Sequence, residues 1–256
     1  MSTFIITGGS AGIGLEIARR LATDRNEVVL VGRNVDRLKE AELSLVGDGL
    51  TCRTASLDVR DADAVNQLVE DLPRIDGVVN NAAGNFAAPT IDLSLNGFRA
   101  VVEISLYGTF NFSTAVARRL IAERKPGVMC NIITTYAWTG APAVAHSAAA
   151  KAGMLAFTKS VGREWGEHGI RVNAVAPGFV PTESATAHIL SSPGAADRML
   201  GLIPLGRFGR REEIADAVAF LMSDQAAYIT GSVLTVDGGR SLGLSMHDAA
   251  PREHPA

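Results

Sequence analysis

Thr7-Gly8-Gly9-Ser10-Ala11-Gly12-Ile13-Gly14 stands between a short apolar run, 3–7, and a segment of helical period, 13–23. Glycines at a strand-to-helix turn let the backbone approach a pyrophosphate, whose charge is met by the free amides of the helix N-terminus. Such a turn opens a βαβ unit, and the rest of the chain repeats the alternation. Strands are expected over 3–7, 27–31, 51–57, 77–80, 128–134, 171–176 and 232–236, with helices over 13–23, 35–45, 62–72, 95–123, 147–167 and 211–222. The fold class that follows is α/β, a doubly wound parallel sheet of seven strands with helices on both faces.

Working outward, 256 residues with 47% hydrophobic and 20% charged residues suit one globular domain. It is expected to span 1–240, with a less regular segment, about 178–205, as a lid over the site and 241–256 as a tail. A net charge of −3 and a pI near 6.0 give no basic surplus for nucleic acid. No apolar run approaches the ~20 residues of a membrane span. The chain starts on an apolar strand without a charged leader, so a cytoplasmic protein is expected. Cys52 and Cys130 lack metal-ligand spacing and fall in strand-like runs, which points to structural burial and no metal site.

The three-residue gap between Gly8 and Gly12 is accompanied by Asn80-Asn81-Ala82-Ala83-Gly84 after the fourth strand, Pro177-Gly178 after the sixth, and Thr230-Gly231 and Asp237-Gly238-Gly239 around the last. Together these motifs resemble the short-chain dehydrogenase/reductase family over nearly the whole chain. The resemblance implies a Rossmann-type domain that holds a dinucleotide at Gly8, Ser10, Gly12, Ile13 and Gly14. It places Asn81 and Ala82 beside the adenosine ribose and Asp58 against the adenine. Pro177, Gly178, the Val180 backbone and Thr182 fall at the nicotinamide end, and a homotetramer is implied through the long helices and the last strand. At the end of the second strand, Gly32-Arg33-Asn34 offers no carboxylate for a ribose hydroxyl and a guanidinium for a 2′-phosphate. NADPH is therefore expected over NADH, with Arg33 as the discriminating residue.

Most members of that family carry a Tyr-x-x-x-Lys pair. In His146-Ser147-Ala148-Ala149-Ala150-Lys151 only the lysine remains, with Ser147 one turn before it on the same helix face. Thr134 stands at the usual serine position and Ser105 at the usual asparagine. Tyr136, eleven residues before Ser147, and Asn85, in Ala82-Ala83-Gly84-Asn85-Phe86, complete a different set. Asn85, Tyr136, Ser147 and Lys151 resemble the catalytic residues of the 2,4-dienoyl-CoA reductase branch. That likeness implies an acyl-CoA substrate whose thioester carbonyl is bound by Asn85 and Tyr136. Ser147 would orient the carbonyl region, and Lys151 would hold the nicotinamide ribose. The chemistry agrees, because reducing a conjugated thioester puts negative charge on an enolate oxygen, which needs fixed hydrogen-bond donors.

Each residue also has a plainer reading: Tyr136 as a packing aromatic at a strand end, Asn85 as a turn residue, Ser147 as a helix N-cap, Lys151 as a solvated lysine. His146 adjoins the site without a role legible from sequence. Ala145-His146-Ser147 and the run Asp237 to Leu242 look like trans-2-enoyl-CoA reductases, which gives a second candidate substrate. A general alcohol or ketone dehydrogenase, with Tyr136 as a displaced acid, is a third. A nucleotide-binding regulator without catalysis is the alternative from another class. Arg207, Arg210 and Arg211 either meet the phosphates of CoA or form a solvated cluster.

Overall fold

The computed structural model describes residues 1–182 and 194–243. Strands β1 (Thr3–Thr7), β2 (Glu27–Gly32), β3 (Cys52–Ser56), β4 (Gly77–Asn80), β5 (Gly127–Ile132), β6 (Ile170–Pro177) and β7 (Val233–Val236) form one sheet. Their order is β3-β2-β1-β4-β5-β6-β7, and every pairing is parallel. The winding reverses between β1 and β4, where the C-terminal strand ends open a crevice suited to a ligand. The helices are α1 (Gly12–Thr23), α2 (Val35–Gly47), α3 (Ala62–Asp71), α4 (Leu95–Val102), α5 (Gly108–Ala122), α6 (Tyr136–Thr139), α7 (Ala145–Glu164), α8 (Ala195–Leu200) and α9 (Arg211–Met222).

Side chains alternate across a strand, so neighbours in β1 feed two separate cores. Ile6 packs with Ile17 and Leu21 of α1 and Val218 of α9. Ile5 packs on the other face with Phe112, Val116 and Leu120 of α5. Strands buried on both faces read as unbroken apolar runs, which explains why β1, β2 and β4 were legible from sequence. Behind the site a buried polar ladder fixes β4, β5 and α7 in register. Asn80 Nδ2 donates to Asn131 Oδ1 at 2.8 Å and to Ser113 Oγ at 2.9 Å, and Asn131 Nδ2 donates to Thr158 Oγ1 at 2.8 Å. Cys130 is buried and Cys52 half-buried, neither in a disulfide, and burial pushes both thiols up to about 12.

Several expected boundaries differ. β5 ends at Ile132 rather than 134, so Tyr136 is not a strand-end residue but opens the short helix α6. The single helix expected over 95–123 is broken by a π-helical turn, Glu103–Tyr107. α7 starts at Ala145 with Val144 as N-cap, which removes the N-cap reading of Ser147. Of the expected lid, 183–193 lie outside the described residues, as do 244–256 of the tail. The remainder of the lid includes α8, which the sequence reading missed. Among the described residues no helix is long and apolar enough to cross a membrane.

Candidate active site

The glycine turn is built by backbone conformation. Gly8 and Gly12 sit at φ +64° and +59°, the left-handed region that favours glycine. A Cβ on Gly12 would meet only Thr182 Cγ2, at 3.7 Å, so the turn presents bare backbone to open space. A Cβ on Gly14 would run into the Gly8 carbonyl, which makes that glycine a packing requirement for α1 on the turn. Thr7 Oγ1 accepts the N–H groups of Asn81 and Ala82, each at 2.9 Å. Asn81 Nδ2 donates to the carbonyls of Thr7 and Gly8 at 3.0 and 3.2 Å. These bonds stitch the ends of β1 and β4 across the switch point.

Over this turn runs a cavity of about 780 Å³, in the size range of cofactor sites, lined by Gly8, Ser10, Gly12, Ile13, Arg33, Asp58, Asn81, Ala82 and Thr182. Gly14, Pro177, Gly178, Val180 and Lys151 are not in that lining. Pro177 pairs with Val236 of β7, the Gly178 N–H donates to the Val236 carbonyl at 2.9 Å, and Val180 is buried. Bare backbone at the glycine turn, with Thr182 beside it and the guanidinium groups of Arg33 and Arg37 in the same lining, suits a dinucleotide.

Within that lining the exposed Arg33 guanidinium lies 4.0 Å from Asp58. Asp58 is held below the usual carboxylate range, first by its hydrogen bonds from Arg60 and then by the charge of Arg33. Arg37, one turn into α2, lines the same cavity, a residue the sequence reading passed over although its four-residue spacing from Arg33 was visible. Asn34 caps α2 by accepting the Arg37 N–H at 2.9 Å. The basic cluster at the start of α9 divides. Arg207 and Arg210 reach Glu213 at 2.6 and 3.5 Å, whereas Arg211 faces the cavity.

The candidate reaction centre is assembled at the end of β5 and on α6 and α7. Thr134 Oγ1 accepts the Tyr136 N–H at 3.1 Å, and Gly140, at φ +69°, ends the short helix. This brings the Tyr136 hydroxyl to 3.0 Å from Ser147 Oγ, where either can donate. Ser147 and Lys151 lie on the buried face of α7. Lys151 Nζ donates to the Ile132 carbonyl at 2.6 Å, and burial lowers its ammonium to about 8. A lysine 5% exposed is not a solvated one. Ser105 is buried inside the π-helical turn, its hydroxyl without a partner among the described residues. Asn85 is exposed on the loop after β4, and that loop is tied to the approach to α7 by the Ala88 N–H, which donates to the Ala143 carbonyl at 2.9 Å.

Residues 8–241 match a family model described as enoyl-(acyl carrier protein) reductase. The chain belongs to the short-chain dehydrogenase/reductases and is an oxidoreductase of that family. It is 42% identical over 245 residues to a Bacillus subtilis protein named probable 2,4-dienoyl-CoA reductase [(2E)-enoyl-CoA-producing], covering 93% of this chain and 96% of that one. It is 38% identical over 240 residues to the peroxisomal 2,4-dienoyl-CoA reductase [(3E)-enoyl-CoA-producing] of Rattus norvegicus, covering 91% and 82%. The fold superposes with a TM-score of 0.86 on a short chain dehydrogenase from Bacillus anthracis, at 41% identity and 96% and 98% coverage. A gluconate 5-dehydrogenase from Burkholderia cenocepacia in complex with NADP and tartrate gives a TM-score of 0.90 at 30% identity, covering 95% and 96%.

Proposed function

We propose that the protein uses NADPH to reduce an unsaturated fatty acyl-CoA thioester, a 2,4-dienoyl-CoA. The observation that carries this reading is the 3.0 Å contact between the Tyr136 hydroxyl and Ser147, at the helix position where the family's usual tyrosine would stand, one turn from buried Lys151. It gives the site a phenol that approaches from α6 instead of from the α7 position that the family's ketone-reducing tyrosine takes. Names carried by the relatives from Bacillus subtilis and rat support the substrate class. The NADP held by the Burkholderia enzyme supports the cofactor, together with Arg33 and Arg37 in the lining of the cavity.

When bound, the reduced nicotinamide supplies a hydride for the δ carbon of the dienoyl group. Charge then develops on the thioester oxygen, where the Tyr136 hydroxyl and the Asn85 amide donate hydrogen bonds. One such donor is worth about 3 to 4 kcal/mol to a transition state of this kind. Ser147 orients the phenol and the carbonyl region, while the Lys151 ammonium holds the nicotinamide ribose and adds positive potential. A solvent proton reaches the α carbon, which leaves the product double bond between the β and γ carbons. Protonation at the γ carbon would give the 2-enoyl product instead.

Reduction of a 2-enoyl thioester is the second reading, favoured by the description of the matching family model. Purified protein with NADPH and, in parallel, a 2,4-dienoyl-CoA, a 2-enoyl-CoA or a simple ketone tests both. Consumption of the dienoyl thioester well above the others is expected, and product analysis fixes the protonation site. Turnover of the ketone alone would sink the proposal. A cytoplasmic homotetramer completes the reading. Exposed Tyr107 of the π-helical turn, Phe110 of α5 and Leu234 on edge strand β7 supply apolar surface for it, and sedimentation is the check.

A further inference from the structure

His146 is fully buried on the first turn of α7, and neither ring nitrogen has a hydrogen-bond partner among the described residues. Its ring packs against Phe86, with centroids 4.5 Å apart and planes tilted by 54°. Phe86 is the residue directly after Asn85. The tip of the Phe86 ring approaches Gly97 of α4, where an added Cβ would come within 3.1 Å of Phe86 Cζ. The phenylalanine, itself 37% exposed, therefore has the buried imidazole as its ring partner and Gly97 of α4 close to its tip. Two residues further on, the Ala88 N–H bonds to the Ala143 carbonyl, just before α7 begins. The loop that carries Asn85 thus meets the helix that carries Ser147 and Lys151 at His146 and meets the segment leading into that helix at Ala143.

We propose that His146 is a positioning residue: through its ring contact with Phe86 it sets the place of Asn85 relative to Tyr136 and Ser147. The inference rests on the role of Asn85 in the proposed reduction. Burial lowers the imidazole's pKa more than the nearby Phe86 carbonyl raises it, so the ring packs as a neutral group. That carbonyl forms no hydrogen bond of ordinary geometry with the ring, which leaves ring packing as the contact that acts. The Asn85 side chain makes no hydrogen bond among the described residues, so its place is set by its loop, which is held at Phe86 and at Ala88. A donor out of place by an ångström loses much of its value to the transition state.

The test compares His146→Ala, which deletes the ring, with His146→Phe, which keeps an aromatic against Phe86, alone and with Asn85→Ala. His146→Ala should lower kcat on a 2,4-dienoyl-CoA by about tenfold, with NADPH Kd within about twofold of wild type as the check on folding. His146→Phe should stay within about twofold of wild type, and in the Asn85→Ala background His146→Ala should add less than about twofold. Amide exchange provides a readout independent of substrate: the segment 85–88 should exchange faster in His146→Ala and unchanged in His146→Phe. Unaltered exchange in His146→Ala, or a His146→Phe protein as impaired as His146→Ala, would overturn the positioning role. Losses that multiply in the double variant would likewise overturn it, by showing that His146 does not act through Asn85. If Asn85→Ala alone keeps full activity while exchange still responds to His146, the assignment of Asn85 fails and takes the catalytic half of the inference with it.

Discussion

The dinucleotide cleft and the reaction centre lie at the same edge of the sheet but are made in different ways. The cleft takes one part of its lining from a short continuous stretch, 8–13, with backbone geometry that two left-handed glycines impose locally, and the rest from the ends of β2, β3 and β4, the start of α2, Ile104, Thr182 and Arg211. Around Arg33 it is wet and charged, that residue being two-thirds exposed beside Asp58. The reaction centre gathers residues from three elements, and its two α7 members are almost wholly buried. A hydrogen bond in a dry pocket carries more weight than one at a wet rim, because the dielectric is lower and solvent cannot replace the lost partner. The same class of substitution should therefore cost most at the centre and least at the cleft's rim.

The largest effect is expected at Tyr136. Tyr136→Phe keeps the ring and removes the hydroxyl, and kcat on the unsaturated thioester should fall about a hundredfold or more while NADPH Kd holds. Near-wild-type turnover in stopped assays would reduce Tyr136 to packing and erase the contrast. In the proposed reaction Lys151 serves both regions. Lys151→Ala should lower kcat and weaken NADPH together, each by about tenfold, because one ammonium serves both. Unchanged titration of NADPH fluorescence would confine the lysine to the centre.

Acidity sharpens the comparison further. Burial lowers the Lys151 ammonium to about 8, so the charged form is present below that pH and lost above it. If the charge contributes to the reaction, kcat/KM should fall as pH rises through about 8, since that ratio reports the free enzyme. A flat profile between about pH 7 and 9 would separate the charge from the chemistry. The smallest effects belong at the rim. Arg33→Ala and Arg37→Ala should each narrow the preference for NADPH over NADH by about tenfold or less, because solvent screens both guanidinium groups. Arg207→Ala, whose partner is Glu213, should leave that ratio unchanged and serves as the control.

Legibility followed the range of the forces involved. The βαβ alternation was plain because each central strand is buried on both faces and reads as a continuous apolar run. β5 was read too long, since Ile133 continues the apolar pattern and its N–H still bonds the Val175 carbonyl, while the strand itself stops at Ile132. The π-helical turn at Glu103–Tyr107 adds a residue to a helix without changing its composition, so nothing in 95–123 announced it. Arg37 looked like any helix-surface arginine. His146 sat in an alanine-rich helix start whose side-chain direction no periodicity defines.

From the sequence alone came the glycine turn, the order of strands and helices, and the placement of Ser147 and Lys151 on one face of one helix. These depend on contacts between near neighbours, where backbone geometry leaves few alternatives. Tertiary structure alone decided that the Tyr136 hydroxyl meets Ser147, that Lys151 loses its water, that Arg37 turns to the cleft and that His146 closes on Phe86. Each of those relations joins separate elements, and the distance between them is set by how helices and strands pack on the sheet rather than by the residues between them.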